Sequence, residues 1–557
     1  DEEKIDSLLL GNHIETCLLK LDELVSTLPQ FNIANKEEVE TSLKLAFVGL
    51  LFHDIGKISF DFQRNIINKI DEKILKEEER DKKMEEMEEF FGKTLMKIKI
   101  PHEVLSSIFL DFIEDVLEGR ILSREDIRRV KTAILFHHYN DEFYGYGMHE
   151  LEQKIVDIEG LEEYKDFVWE IYIDIISELK HILENIQNKL KNDSLRKLSQ
   201  ELLKALSDIA QKNAKSKKKE VSRFFEPNKG DLVFNLTLGF LMRIDYLSSF
   251  VGEEGRDIPP EIFLQLPISI SSLKQKAIEK LKQKTGKKII WQENLVKQLE
   301  GMTENLCLVA PTGSGKTEFV ICFLGERKLL YTLPLRVALN DLYHRFCDYF
   351  EDKLVGLLHS SSFLEVMKTT NMLEVVEEKV AASRFLSYPF ILSTPDQTML
   401  VSLAFHGHER ILTVFPYSTI VIDEIQAYNP EMLAIILNSL RIGKQFGANI
   451  LVLTATLPNF VKELLETEIN LKIIDVTSKE YEDLNVKNLK LRRHKLKVIE
   501  ISVKGKEKEN ELLFKEIEKC IDQNREKRSI LVTFNTVGKA IEFYKRIKNS
   551  NIKKERK

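Results

Sequence analysis

Cysteine, proline and glycine are sparse in this chain. Its 557 residues include five cysteines, 13 prolines and 23 glycines. The cysteines are scattered singly, without a Cys-x-x-Cys pair, which argues against a disulfide framework or a zinc ribbon and fits a reducing compartment. With 43% hydrophobic and 31% charged residues, the composition is typical of an ordered helical or α/β protein. Extensive disorder is therefore not expected.

Long apolar runs and an excess of basic charge are also missing. The most apolar window, Leu232 to Val251, contains Arg243 and Asp245, so no uncharged stretch of about twenty residues is available for a bilayer span. The start, DEEKIDSLLLGNH, has neither the layout of a signal peptide nor an initiator methionine. We expect a cytoplasmic protein with no membrane partner, and a sequence cut short at both ends. Because the net charge is −7, any nucleic acid must be held by local basic grooves.

The hydrophobic pattern divides the chain into an all-α part and an α/β part. Apolar residues recur at helical spacing up to about residue 250. After EEGRDIPPEIFLQLP, short apolar runs alternate with helical patterns, which predicts a parallel sheet covered by helices. The late run RSILVTFN predicts the first strand of a second sheet. The expected segments are an all-α domain, a linker, an α/β domain and the incomplete start of another, at residues 1–255, 256–285, 286–490 and 491–557.

The run APTGSGKT has the pattern of a phosphate-binding loop. It follows the apolar NLCLVA and precedes the helical TEFVICFLG, which is the context that such a loop requires. Its glycines let backbone amides face the phosphates of ATP, Lys316 reaches the β and γ phosphates, and the Thr317 hydroxyl holds Mg²⁺. We predict an ATP site formed by Ala310, Pro311, Thr312, Gly313, Ser314, Gly315, Lys316 and Thr317.

Two carboxylates end the strand-like run STIVIDE. Asp423 and Glu424 are expected at the carboxyl edge of the sheet, where Asp423 would bind Mg²⁺ through water and Glu424 would activate the attacking water. With LVLTATLP, these runs resemble motifs I, II and III of superfamily 2 helicases. That resemblance implies DNA-backbone contacts from TLPLRVAL (332–339) and STPDQ (393–397), and adenine recognition by Gln292. Gln426 departs from the His or Asp of the helicase motif, and no arginine-finger motif follows RSILVTFNT, so this chain should bind ATP but hydrolyse it poorly.

Histidines and aspartates in the first half form a second candidate site. His53 and Asp54 end an apolar helical run with Lys57 one turn on, and the pair His137 and His138 ends a run that opens with the capping pattern SRED. Asp245 lies inside an apolar run, where an unpaired carboxylate is costly unless it meets a cation. We predict metal ligation by His13, His53, Asp54, His102, His137, His138 and Asp245.

Such a set can hold two divalent ions about 4 Å apart, bridged by Asp54, for an in-line phosphodiester displacement. Imidazole-rich ligation favours Mn, Fe, Co or Ni over Mg.

The order of the motifs resembles the CRISPR-associated helicase-nuclease of type I systems, in which an HD-type nuclease domain precedes RecA-like helicase domains. The resemblance implies one metal held by His13, His53, Asp54 and Asp245, and a second held by Asp54, His102, His137 and His138, with Lys57 as the lysine of the site. It further implies single-stranded DNA as substrate, ATP-driven 3′ to 5′ translocation, and recruitment by an RNA-guided surveillance complex in defence against invading DNA.

Two other interpretations remain open from the sequence. One is a DNA-repair or RNA helicase whose HD domain hydrolyses nucleotides rather than polynucleotides. The other is a docking subunit with an inactive motor. Release of phosphate from nucleotides, cleavage of circular single-stranded DNA and DNA-stimulated ATP turnover would distinguish these possibilities.

Overall fold

The computed structural model describes most of the chain between residues 10 and 549. The described ranges are 10–69, 77–138, 148–158, 160–212, 223–226, 230–254, 257–262, 269–286, 290–299, 305–370, 372–405, 407–484, 486, 498–500, 506–524 and 530–549. They divide into two compact units, Asp1–Leu489 and Lys490–Lys557. Each unit is described by itself below.

The first half of the larger unit is helical, as predicted. Its helices are α1 (Leu10–Thr27), α2 (Lys36–Phe52), α3 (Phe60–Lys69), α4 (Glu77–Leu95), α5 (His102–Leu117), α6 (Arg124–Phe136), α7 (Met148–Val156), α8 (Leu161–Glu170), α9 (Tyr172–Gln187), α10 (Asp193–Lys212) and α11 (Leu232–Glu254). Ser123 caps α6 by accepting a hydrogen bond from the backbone N–H of Asp126, as the SRED pattern predicts.

Helix α11 is apolar on nearly all of its faces because it is surrounded by protein. It packs against α1, α2 and α6 on one side and against a short helix of the α/β region on the other. At that second crossing Gly239 is required, since a Cβ there would lie 2.3 Å from the carbonyl oxygen of Glu409. Among the described helices, α11 included, none is long and apolar enough to cross a membrane.

A seven-stranded parallel sheet organises the rest of this unit, as the alternating pattern predicts. The strands are β1 (Leu306–Val309), β2 (Lys328–Thr332), β3 (Val355–Leu358), β4 (Phe390–Ser393), β5 (Ser418–Asp423), β6 (Asn449–Thr454) and β7 (Lys472–Asp475). Their order across the sheet is β3-β4-β2-β5-β6-β1-β7. This order places the carboxyl ends of β1, β5 and β6 side by side, so residues that follow these strands meet at one edge.

Helices cover the sheet and connect its strands. They are α12 (Ile270–Thr285), α13 (Trp291–Gln298), α14 (Lys316–Phe323), α15 (Arg336–Phe350), α16 (Ser362–Met367), α17 (Leu373–Arg384), α18 (Pro395–Thr398), α19 (His408–Leu412), α20 (Pro430–Gln445) and α21 (Asn459–Thr467). The segment predicted as a linker contains α12 and a fully buried Glu261. One hydrophobic core runs from the helical half into the sheet.

A buried ionic cluster joins α11 to the sheet. The guanidinium of Arg243 donates to Glu261 at 2.8 Å, to Tyr417 at 3.2 Å and to the backbone carbonyl groups of residues 260, 385 and 386. The other carboxylate oxygen of Glu261 accepts from Lys328 at the start of β2. We call Arg243, Glu261, Lys328 and Tyr417 the ionic cluster; all four side chains are fully buried.

The smaller unit contains helices α22 (Lys506–Asp522) and α23 (Val537–Asn549). The strand predicted from RSILVTFN is wrong for residues 530–535, which are described and form no strand. Arg528 and Ser529 lie outside the described residues. A strand needs a neighbour to satisfy its backbone hydrogen bonds, and the described part of this unit provides none.

Candidate metal centre and nucleotide site

The predicted metal ligands come together from the ends of separate helices. His13 lies on α1, His53 caps the C-terminus of α2 and is followed by Asp54, and His102 opens α5. His137 and His138 follow α6, and Asp245 lies in the middle of α11. Helix packing therefore gathers residues up to 232 positions apart in sequence into one site.

The first group of donor atoms surrounds Asp245. Its Oδ1 lies 3.0 Å from His13 Nε2 and 3.4 Å from His53 Nε2. Oδ2 of Asp54 lies 3.5 Å from His13 Nε2 and 3.4 Å from His53 Nε2, which places Asp54 beside this group. The Sγ of Cys17, which the sequence analysis did not single out as a ligand, lies 3.5 Å from His13 Nε2. One ligand atom from each of His13, Cys17, His53 and Asp245 lies within 4.8 Å of all the others.

The second group consists of Asp54, His102, His137 and His138, whose ligand atoms also lie within 4.8 Å of one another. Three of these atoms are buried and lack a hydrogen-bond partner among the described residues: Asp54 Oδ1, His102 Nε2 and His137 Nε2. Leaving buried polar atoms unpaired is costly, and three that meet at one point fit a cation as their common partner. The residues present therefore fit a divalent metal.

Backbone contacts fix the orientation of two imidazole rings. His53 donates from Nδ1 to the carbonyl of Leu50 at 2.8 Å, and His137 does the same to Ile134 at 2.5 Å. In both rings Nε2 is then left as the atom that faces the other ligands. A metal-binding histidine usually has its second nitrogen held in this way, which sets the tautomer.

Burial keeps several of these histidines neutral. It lowers the pKa of His102 to about 3, and the neighbouring His138 and Lys57 add to this effect. Burial and then His138 and His53 hold the pKa of His137 well below its usual value, and burial lowers the pKa of His138. Neutral imidazole is the form that binds metals, so these side chains are ready to act as ligands without losing a proton.

Asp54 remains a carboxylate despite complete burial. Burial by itself would raise its pKa, but His53, Lys57 and His13 together lower that pKa below its usual value. Lys57 Nζ donates to Asp54 Oδ2 at 2.5 Å. Burial would lower the pKa of Lys57, but Asp54 raises it above its ordinary value, so Lys57 is a fixed cation at the edge of the site.

The phosphate-binding loop lies between β1 and α14, as its motif predicts. Gly315 has φ +101°, and a Cβ there would lie 2.3 Å from the amide nitrogen of Gln292. That amide donates to the carbonyl of Gly315 at 3.2 Å, and the indole of Trp291 donates to the carbonyl of Ser314 at 2.9 Å. Helix α13 therefore fixes the loop from behind.

Asp423 and Glu424 lie opposite the loop. Lys316 Nζ is 3.2 Å from Glu424 Oε1, and the hydroxyl of Tyr331 donates to Asp423 Oδ2 at 2.5 Å. Burial raises the pKa of Asp423 and Glu424 raises it further, although the Tyr331 hydrogen bond opposes this. Glu424 has φ +53°, in the left-handed region that residues with a side chain adopt uncommonly.

Gln426 connects Glu424 to the end of β6. Its amide nitrogen donates to Glu424, and its oxygen accepts from the Thr454 hydroxyl at 2.5 Å. In the sequence alone Gln426 is only a departure from the helicase motif, because its partner at the end of β6 is distant in sequence. The glutamine preserves a hydrogen-bonded connection between the two motifs.

The two segments expected to contact DNA begin at neighbouring strand ends. Thr332 on β2 pairs in register with Ser393 on β4, and their hydroxyl oxygens lie 3.5 Å apart. After Thr332, Leu335 and Val337 are 66% and 77% exposed. Both segments therefore begin on the edge of the sheet that carries the nucleotide motifs.

Comparisons with known proteins agree with this architecture. Residues 289–464 match the DEAD/DEAH box helicase family. The chain is 31% identical over 566 aligned positions to the CRISPR-associated nuclease/helicase Cas3 of Methanothermobacter thermautotrophicus, covering 96% of this chain and 62% of that protein. It is 28% identical over 188 residues to the CRISPR-associated nuclease/helicase Cas3 of Streptococcus thermophilus, covering 28% of this chain and 20% of that protein. The chain thus spans less than two thirds of either relative.

A solved structure described as a CRISPR-associated protein superimposes with a TM-score of 0.50 at 17% identity, covering 83% of this chain and 51% of the other. At this identity the match supports the fold alone. The expected architecture, a helical region followed by an α/β helicase region, is confirmed.

Proposed function

We propose, from its confirmed resemblance to CRISPR-associated helicase-nucleases, that this chain combines a metal-dependent single-stranded DNA nuclease with an ATP-driven 3′ to 5′ DNA translocase. Residues 1–255 would be the nuclease domain, 286–490 the first RecA-like domain and 491–557 the start of the second. The observation that carries the proposal is the meeting of Asp54 Oδ1, His102 Nε2 and His137 Nε2 as buried atoms without hydrogen-bond partners among the described residues. The proposed setting is cytoplasmic degradation of invading DNA opened by an RNA-guided surveillance complex.

In this proposal the donors around Asp245, together with Asp54, would hold one divalent transition-metal ion, and Asp54, His102, His137 and His138 would hold a second. Such ions, when bound, activate water and stabilise charge that develops on a phosphodiester. The chain's own residues prepare the site. The carbonyl groups of Leu50 and Ile134 hold His53 and His137 with Nε2 facing inward, burial keeps His102, His137 and His138 neutral, and Lys57 offers a cation for a phosphate oxygen.

In the motor, the phosphates of ATP would replace Glu424 as the partner of Lys316. Glu424 would then be released to orient and deprotonate the attacking water, while Asp423, held by Tyr331, takes the position of the Mg²⁺ residue. Because the Gln426 side chain hydrogen-bonds to both Glu424 and Thr454, a displacement of Glu424 would change the hydrogen bond at the end of β6. Adenine recognition by Gln292 is part of the same proposal.

The test is cleavage of circular single-stranded DNA with Mn²⁺ or Ni²⁺ and without ATP, comparing the unmodified chain, Asp54→Ala and Asp174→Ala. Asp174 is an exposed acidic residue on α9 and is the matched control. We expect nicking by the unmodified chain and by Asp174→Ala, and none by Asp54→Ala. No nicking with any metal, together with phosphate release from nucleotides, would instead support a nucleotide phosphohydrolase.

A further inference from the structure

Cys17 lies one helical turn after His13 on α1. Residues four positions apart face the same side of a helix, so the two side chains point toward the same neighbours. Cys17 is fully buried, and its Sγ lies 3.5 Å from His13 Nε2. The same sulfur belongs to the donor group of His13, His53 and Asp245, in which one atom from each residue lies within 4.8 Å of the others.

The separations in this group fit four ligands around one ion. With bonds of about 2.0 Å to nitrogen or oxygen and about 2.3 Å to sulfur, ligand atoms around a four-coordinate ion with one sulfur lie roughly 3.3–3.5 Å apart, and a fifth ligand brings some of them closer. The distances from His13 Nε2 to Asp245 Oδ1 and Cys17 Sγ are 3.0 and 3.5 Å, and His53 Nε2 lies 3.4 Å from Asp245 Oδ1. The other three separations are within 4.8 Å, so all four atoms lie around one point at which an ion could be bound.

Burial alone would not distinguish Cys17, because free cysteines are commonly buried as small apolar side chains. Cys307 and Cys322 are buried in the same way but belong to no cluster of metal-binding donors among the described residues. Cys347 and Cys520 are partly exposed and also lie outside such clusters in the described structure. What sets Cys17 apart is the direction of its sulfur toward two imidazoles and a carboxylate.

We propose that Cys17 Sγ is a direct ligand of the first metal ion, together with His13, His53 and Asp245 and in addition to the shared Asp54. This inference rests on the proposed metal centre and specifies the chemistry of one half of it. A sulfur ligand favours the binding of Zn²⁺, Cd²⁺ or Co²⁺ by the first group of donors. The second group, with three histidines and a carboxylate, keeps the metal preference of nitrogen and oxygen ligands. The two halves should therefore differ in metal selectivity.

Cobalt absorption tests the proposal on the unmodified protein. Co²⁺ bound to a cysteine sulfur gives an intense sulfur-to-metal charge-transfer band in the near ultraviolet, which nitrogen and oxygen ligands do not give. We expect two Co²⁺ per chain, with this band developing as the first half of the centre fills. The band should disappear in Cys17→Ala and persist when Cys347 and Cys520, the partly exposed cysteines, are both replaced by alanine.

The possible results separate this inference from the proposed function. Two bound Co²⁺ without the charge-transfer band would overturn the role of Cys17 and leave the metal centre standing. A chain that binds no Co²⁺ would overturn both. Cys17→Ala removes a single buried atom, and circular dichroism checks its fold; if that variant does not fold, the spectrum of the unmodified chain still decides.

Competition between metals gives a second readout. Loss of a residue that only hydrogen-bonds to a metal ligand typically weakens metal binding by about 10–100-fold, so loss of a direct ligand should weaken it at least as much. We therefore expect Cys17→Ala to weaken Cd²⁺ binding by at least about tenfold and to affect Mn²⁺ much less, because sulfur is a poor ligand for Mn²⁺. Equal losses for both metals would indicate a packing role for Cys17 and would refute direct ligation.

Discussion

Glu261 is predicted to be the most sensitive member of the ionic cluster. Its two carboxylate oxygens accept from Arg243 and Lys328, and all three side chains are fully buried. In Glu261→Gln, two buried cations lose their only anionic partner in the cluster. Removing one member of a buried ion pair typically costs about 3–5 kcal/mol, so we expect the free energy of unfolding to fall by at least about 3 kcal/mol.

A double-mutant cycle shows whether charge causes this loss. Burial lowers the pKa of Lys328 to about 8, although Glu261 opposes the shift, so Lys328 is charged at neutral pH only with that carboxylate beside it. Lys328→Met should therefore be destabilising in the unmodified chain but neutral or favourable in the Glu261→Gln background. We expect a coupling energy of about 1–3 kcal/mol between the two sites.

Urea unfolding followed by tryptophan fluorescence measures these changes in both halves of the unit. Trp169 lies on α8 in the helical half and Trp291 lies on α13 beside the sheet. As a control, Glu468→Gln removes the exposed partner of Arg441 and should cost about 0–1 kcal/mol. If Lys328→Met cost the same with and without Glu261, the assigned role of charge in the cluster would be wrong.

Three further predictions follow from the two sites and from one buried acid. Lys316→Ala should abolish ATP binding in equilibrium dialysis and leave metal-dependent nicking without ATP unchanged; loss of both would contradict two separate sites. Removal of metal by a chelator should lower the free energy of unfolding by about 2.7 kcal/mol if the metal had been at 100 times its dissociation constant, and with it the midpoint temperature of unfolding. An unchanged midpoint temperature in calorimetry would count against metal binding to the folded state. Burial raises the pKa of Glu409 from 4.5 to about 7, so its contribution to stability is present below pH 4.5 and is lost as the pH rises through 7. Glu409→Gln should therefore stabilise the chain by about 1–3 kcal/mol at pH 8 and little at pH 4, and equal effects in urea unfolding at both pH values would refute this.

The motifs of the nucleotide site were predictable because their chemistry is local in sequence. The loop from Ala310 to Thr317 and the pair Asp423 and Glu424 each carry a recognisable pattern beside an apolar strand. The contact between Lys316 and Glu424 then follows from the parallel order of β1, β6 and β5. The alternation of strands and helices gave the class of fold for the same reason.

The proposed metal ligands are harder to predict because they are distributed over separate helices. Their grouping depended on a family resemblance, and Cys17 was overlooked because its significance comes from His13, Asp245 and His53 meeting in space. A His-x-x-x-Cys spacing on a helix was the available signal. The burial of Glu261 could not be predicted from the sequence, because a glutamate next to two prolines is normally exposed. In the structure it is buried and accepts hydrogen bonds from Arg243 and Lys328.

Helix α11 places Arg243, which is bound to the sheet side, two residues from Asp245, which faces the metal donors. We therefore expect that a fragment of the helical half that ends at residue 255 would not keep its native surroundings when it is moved into another protein. A fragment cut there would leave the Arg243 guanidinium without Glu261 and would uncover the helix surface around Gly239 that α19 occupies. Chimaeras between relatives should retain the helical half together with Glu261, Lys328, Tyr417 and α19, because these residues complete the surroundings of the helix that carries Asp245.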